Sequence, residues 1–291
     1  MIIKFDPIFK TKMWGGQKMR ARFNYALPSE KTGECWGIAA HTNGDVTIKD
    51  GLYQGETLSS LWQNQRHLFG NHRADEFPIL VKFIDAADDL SVQVHPDDAM
   101  AKTLGSYGKT ECWYIVEAEA DATLIIGHHA KSLAELKQHI ENDTIESIVQ
   151  KVPVSAKDYF FIDAGTLHGI GKGTLLLEVQ QSSDITYRFY DYNRLEEGKR
   201  RPLHIEEALS VVNVPDAQVK QTHDERYFGF DIVSPTGEKM SAHTYGDFLI
   251  VIEGDGFIDK KAIQAGDFLF VSSESSYRLH GAMQLARVTL R

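Results

Sequence analysis

The stretch Leu90-Ser91-Val92-Gln93-Val94-His95-Pro96-Asp97-Asp98 decides the reading of this chain. In a strand, successive side chains leave on opposite faces. Leu90, Val92 and Val94 then share one face, and Ser91, Gln93 and His95 share the other. A polar row backed by an apolar one suits a polar pocket inside an apolar shell. Two neighbouring segments supply matching groups. Lys109, Glu111 and Trp113 alternate on one face of the next strand, with Cys112 turned to the core, and His168 follows the glycine turn at Gly165. Two imidazoles, a carboxylate and an amide oxygen make a mixed set that suits zinc or another divalent ion, with positions left for water or substrate. Each of Gln93, His95, Glu111 and His168 has an ordinary structural explanation when taken alone, whereas metal binding explains all four together. His128 and His129, after Gly127, are expected in a turn or at the surface, and Asp97 and Asp98 as turn and cap residues.

Strand-like runs dominate outward from this centre. Alternation or apolar runs predict strands at Leu90–His95, Thr110–Val116, Thr123–Ile126, Tyr159–Ile162, Leu175–Gln180, Thr186–Tyr190, Phe248–Ile252 and Asp267–Val271. Helical spacing predicts three helices, Thr57–Leu68, Ser132–Val149 with Ser132 as cap, and His204–Val211 after Pro202. Many short strands with helices confined to connections predict a mainly β chain, a barrel or sandwich with a few added helices. The polar run near Val212–Gln221 reads as a boundary, so the expected division is 1–214 and 215–291. The second segment reads as two hairpin-linked strand pairs, with turns at Gly254-Asp255-Gly256 and Gly266-Asp267, and loosely echoes the first.

Composition limits the function classes. With 291 residues the chain can bury a substantial core as one large domain or two modest ones. A formal charge of -10 argues against a general nucleic-acid binder, which needs a basic surface. No segment approaches the ~20 apolar residues of a membrane span, and the start has no secretory pattern. Two cysteines, Cys35 and Cys112, make no disulfide framework. A cytoplasmic protein is expected.

Several blocks together resemble a known family. QVHPDD, GKTECWYIVEA, DAGTLHGIG and LEVQQSSDITYRFYDYNR, with WGG at Trp14–Gly16 and GECWGIAAHTNG at Gly33–Gly44, are similar in order and spacing to the type I mannose-6-phosphate isomerases, short bacterial form, over roughly residues 5 to 205. The resemblance implies a cupin (jelly-roll) barrel with a second, smaller cupin-like β domain. It also implies one zinc per chain held by Gln93, His95, Glu111 and His168, and a catalytic arginine at Arg188. Larger members carry a helical insertion that only Ser132–Val149 can represent here, and Cys35 stands where a small hydroxyl residue is expected. The C-terminal segment has no second ligand set and is expected to be structural or to mediate a homodimer.

The remaining pocket residues follow from parity and chemistry. A phosphorylated sugar needs cationic and hydrogen-bonding groups near the metal. Lys82 within ILVKFIDA, Lys109 beside Glu111 and Ser91 beside Gln93 are the expected substrate contacts. Trp14, Glu34 and Trp36 are expected to shape the pocket floor or the packing beneath it. Alternation sets Thr186, Arg188 and Tyr190 on one face, and Glu178 with Thr174, Leu176 and Gln180. Arg188 and Glu178 are the expected catalytic groups for mannose 6-phosphate–fructose 6-phosphate interconversion. Glu178, Lys109 and water all stay open as the proton acceptor. An iron-dependent cupin oxygenase and a non-catalytic sugar-sensing cupin are the competing readings.

Overall fold

The computed structural model describes residues 1–196, 198–216 and 218–291. Its frame is three layers of antiparallel sheet. The middle layer has six strands in the order Tyr159–Ile162, Glu111–Ala118, Thr174–Gln181, Ile79–Ala86, Ile8–Gly16 and Thr32–Ile38. Every residue of Ile79–Ala86 and Thr174–Gln181 is buried, because this sheet is covered on both faces. Alternation sorts the two covers. Ile84, Trp113, Ile115, Phe160, Ile162 and Leu176 pack against Leu124, Ile126 and Ile170 of a five-stranded sheet. Phe83, Cys112, Leu175, Leu177 and Val179 pack the other way, against Phe248, Ile250, Phe268 and Phe270 of an eight-stranded sheet.

The five-stranded sheet runs Val149–Pro153, Thr123–His128, His168–Ile170, Val92–Val94 and Tyr187–Tyr190. Among the described residues no sheet closes on itself, so the first barrel is formed by two facing sheets, as in a jelly roll. The eight-stranded sheet holds the long strands Asp247–Ile258 and Ser276–Leu290, and it also takes in Ile2–Asp6, which pairs with Phe268–Val271. The segment 215–291 therefore shares its sheet with the amino terminus. Ala217, inside the expected connection, lies outside the described residues; its neighbours Asp216 and Lys220 make single bridges to His128 and Phe161.

Four expected elements are corrected. The turn expected at Gly254-Asp255-Gly256 lies within the continuous strand Asp247–Ile258, and the chain reverses instead at Asp259 and Lys260, where Asp259 takes a left-handed φ of 52°. The strand predicted at Leu90–His95 is laddered only over Val92–Val94, because Pro96 lacks an N–H and restrains the residue before it. The helix predicted over Thr57–Leu68 is Leu58–Asn64, capped by the Thr57 side chain, followed by a 3-10 turn at Arg66–Phe69. The helix predicted over Ser132–Val149 is only Leu133–Glu141. It ends at Asn142, and Asp143 takes a left-handed φ of 55°, which lets the chain turn into the strand Val149–Pro153. His128 also differs from expectation: it ends a strand and is fully buried, with Nε2 3.0 Å from the Asn213 carbonyl oxygen.

Candidate metal centre

The two sheets that face each other across the inner core bring the polar residues together. Gln93 and His168 are cross-strand partners in the five-stranded sheet, with His95 just past the end of that strand. Glu111 opens its strand in the middle sheet, paired with Ile162 on one side and Gln180 on the other. Side-chain donor atoms of His95, Glu111 and His168 all lie within 4.8 Å of one another, and all three residues are buried. The two Nε2 atoms are 3.1 Å apart, and the Glu111 carboxylate oxygens lie 3.6 Å from His95 Nε2 and 3.5 Å from His168 Nε2.

These spacings can be tested against a metal. Tetrahedral zinc with bonds of about 2.0–2.1 Å separates its donors by about 3.3 Å. The three spacings bracket that value. Donor chemistry agrees. His168 Nδ1 lies 2.9 Å from the Thr166 carbonyl oxygen and must donate to it, which leaves the Nε2 lone pair pointing at the cluster. Burial, reinforced by the Lys109 charge, lowers the His168 pKa to about 4 and holds His95 well below the ordinary imidazole value, so both rings are neutral. Glu111 Oε1 is buried without a hydrogen-bond partner. The Gln93 amide lies 3.3 Å from His168 Nε2, and turning the carboxamide over presents its oxygen at the same place. The residues present fit a zinc ion.

A second shell of charge surrounds the donors. Lys109 Nζ lies 2.8 Å from His95 Nε2, contacts Glu111 and stands 4.0 Å from Glu178. Lys82, Glu178 and Trp113 form a cross-strand row on three adjacent strands. Lys82 pairs with Glu178 at 2.8 Å, and the Trp113 indole donates to the other Glu178 oxygen at 3.0 Å. Burial by itself would lower the Lys82 pKa, but the Glu178 and Glu34 carboxylates outweigh it and raise it. Burial would raise Glu178, but Lys82 and Lys109 outweigh it and lower it. Glu111 moves the other way, pushed up by burial and by the Glu178 charge. The loop that delivers His168 is tied down by Leu167 N–H donating to Asp216 and Gly165 N–H donating to the His95 carbonyl.

The other expected residues fall at different distances. Ser91 is buried next to the Gln93 strand, and no hydrogen bond joins its hydroxyl to the donor cluster. Arg188 is the cross-strand partner of Gln93, but its guanidinium donates to the Pro202 carbonyl at 2.8 Å rather than to any cluster residue. The alternation of Arg188 with Tyr190 is corrected: Arg188 pairs with Gln93 and Tyr190 with the adjacent Val92, so a bulge at Phe189 turns Tyr190 to the opposite face. Asp191 is taken by Arg194 and Arg201. Glu34 accepts from the Trp36 indole at 2.9 Å and pairs with Lys12, while Trp14 packs in the core between the two facing sheets. Among the described residues no further metal-capable group is found, and His243 in the eight-stranded layer is engaged with Asp247 at 2.7 Å.

Comparison with known proteins agrees with this geometry. Residues 2–112 match the model for phosphomannose isomerase type I, catalytic domain. The mannose-6-phosphate isomerase ManA of Bacillus subtilis (strain 168) is 48% identical over 226 residues, covering 76% of this chain and 71% of the relative. The crystal structure of the mannose 6-phosphate isomerase from Bacillus subtilis superposes with a TM-score of 0.94 at 36% identity, covering 99% of each chain. A zinc-bound mannose 6-phosphate isomerase shares the fold at 17% identity, with a TM-score of 0.76, 100% of this chain and 99% of that one covered. A buried His–Glu–His centre between two facing sheets, matched along the chain in this way, means that the chain belongs to the type I mannose-6-phosphate isomerase family.

Proposed function

We propose that the chain is a zinc-dependent aldose–ketose isomerase that interconverts mannose 6-phosphate and fructose 6-phosphate through a cis-enediol or enediolate. The convergence of the His95 and His168 Nε2 atoms on the Glu111 carboxylate carries this reading. Gln93, His95, Glu111 and His168 would hold the ion, which when bound supplies a Lewis acid beside the sugar oxygens. The reaction moves a proton between adjacent carbons, and a positioned acid–base group lowers that barrier. Glu178 and Lys109, 4.0 Å apart beside the donor set, are the proton-carrying groups available for it. Lys82 holds Glu178 ionised, so its charge reaches the substrate through that pair. Ser91 and Lys109 contact the substrate, and Arg188, rooted beside Gln93, stabilises the negative charge that develops on it.

Metal analysis of the purified protein, combined with a coupled assay for mannose 6-phosphate, tests the proposal. The expected result is about one zinc per chain with turnover, and loss of both in His95→Ala and His168→Ala. Full metal occupancy in both variants would sink the ligand assignment. Oxygen uptake without isomerisation would favour the oxygenase reading, and tight metal binding with no turnover the sugar-sensing one.

A further inference from the structure

We infer that Gln180 recognises one hydroxyl of the open-chain sugar phosphate through its carboxamide oxygen and so contributes to substrate specificity, an inference that rests on the proposed isomerase reading. Gln180 is 1% exposed and sits on the Thr174–Gln181 strand directly opposite Glu111. Cross-strand partners have Cβ atoms about 4.5–5.5 Å apart, so its side chain leaves the sheet beside the Glu111 carboxylate. Both amide hydrogens are committed, one to the Gln181 carbonyl at 2.9 Å and one to the Ser183 carbonyl at 2.6 Å. Turning the amide over would set its oxygen against two carbonyl oxygens, so the orientation is determined by its surroundings. Its Oε1 is then buried with no donor.

Among the described residues no donor lies within hydrogen-bond distance of it. The neighbouring backbone donors are committed elsewhere, Thr110 N–H to the Gln181 side chain and Gln181 N–H to the Thr110 carbonyl. A buried acceptor left unpaired costs about 1–3 kcal/mol, and a ligand that brings a hydroxyl removes that cost. A sugar with C1 and C2 at the metal still carries hydroxyls at C3, C4 and C5, each a donor. The Gln180 contact does not change as the proton moves, so it binds ground state and transition state alike.

The test uses the zinc-loaded enzyme with mannose 6-phosphate and its 3-, 4- and 5-deoxy analogues. Wild type should disfavour one analogue by about tenfold to a hundredfold in kcat/KM. Gln180→Met should raise KM for the parent sugar by a similar factor, leave kcat and zinc content near wild type, and lose the discrimination against that analogue. Unchanged discrimination in the variant would overturn the inference and leave Gln180 as a tie for the 181–183 turn. Should the variant not fold, a crystal structure of wild-type holoenzyme with substrate decides. Gln180 Oε1 within about 3.2 Å of a sugar hydroxyl supports the contact, and only water at that oxygen overturns it. A wild-type enzyme that does not turn over the parent sugar would instead overturn the isomerase reading, a separate outcome.

Discussion

At the residue scale, the imidazoles carry a pH signature. His168 titrates at about 4 in the folded protein because burial and the Lys109 charge oppose its protonation. An unfolded histidine titrates near 6.5. Between those values the unfolded chain binds a proton that the folded chain refuses, so the His168 contribution to stability falls as pH falls through this window, while Glu111, held above its ordinary value, contributes with the opposite sign. The span amounts to roughly 3 kcal/mol for this group. Denaturant melts of metal-free wild type and His168→Gln between pH 7 and pH 4 should differ by that slope; identical pH dependence in the two would mean that the ring is accessible to protons. Arg188 is the other residue to probe. If it acts on charge that exists only at the enediolate, Arg188→Ala should lower kcat by about a hundredfold or more with KM little changed. Zinc content should be intact, and Arg188→Lys should recover little, since an ammonium lacks the planar fork. Near-normal turnover in Arg188→Ala would leave the guanidinium as a tether to Pro202.

At the element scale, a single strand serves two different layers. In Ile79–Ala86, Lys82 and Ile84 face the inner core and the centre, while Phe83 faces outward, its ring 4.4 Å from Phe23 and 5.3 Å from Phe268. Stability and chemistry should separate along it by parity. Phe83→Ala should cost about 3–5 kcal/mol in chemical denaturation, through a cavity between the middle and eight-stranded sheets. The folded fraction should keep its zinc and its KM, and loss of metal in that variant would show that the two faces are coupled. Parity was legible in advance for Gln93 with His95 and for Glu111 with Trp113. It failed at Tyr190, where one extra residue at Phe189 reverses the alternation, and bulges have no mark in a single sequence.

At the scale of the whole molecule, we propose that residues 215–291 form a second β unit without metal, completed by the amino-terminal strand Ile2–Asp6. The metal-capable group found among the described residues lies in the first unit. His243→Ala and His280→Ala should therefore leave zinc content and turnover within about twofold of wild type, even though His243 contributes a contact to the buried Asp247. A large loss of metal in either variant would place a second ligand set in the C-terminal layer. No helix among the described residues is long and apolar enough to cross a membrane.

What the sequence by itself determined was local in character. Alternation set the facing of Gln93, His95, Glu111 and Lys109, Gly266-Asp267 marked a turn between strands, and the ordered blocks identified the family, because these depend on neighbours a few residues apart. Tertiary structure alone decided the rest. The pairing of Lys82 with Glu178, the tie of Arg188 to Pro202 and the unpartnered oxygen of Gln180 depend on which strands become neighbours. The burial of His128 and the recruitment of Ile2–Asp6 into the C-terminal sheet join residues far apart in the chain. Period and composition describe a strand's two faces, but strand order and register arise from packing three sheets together, and that information is shared among all of them.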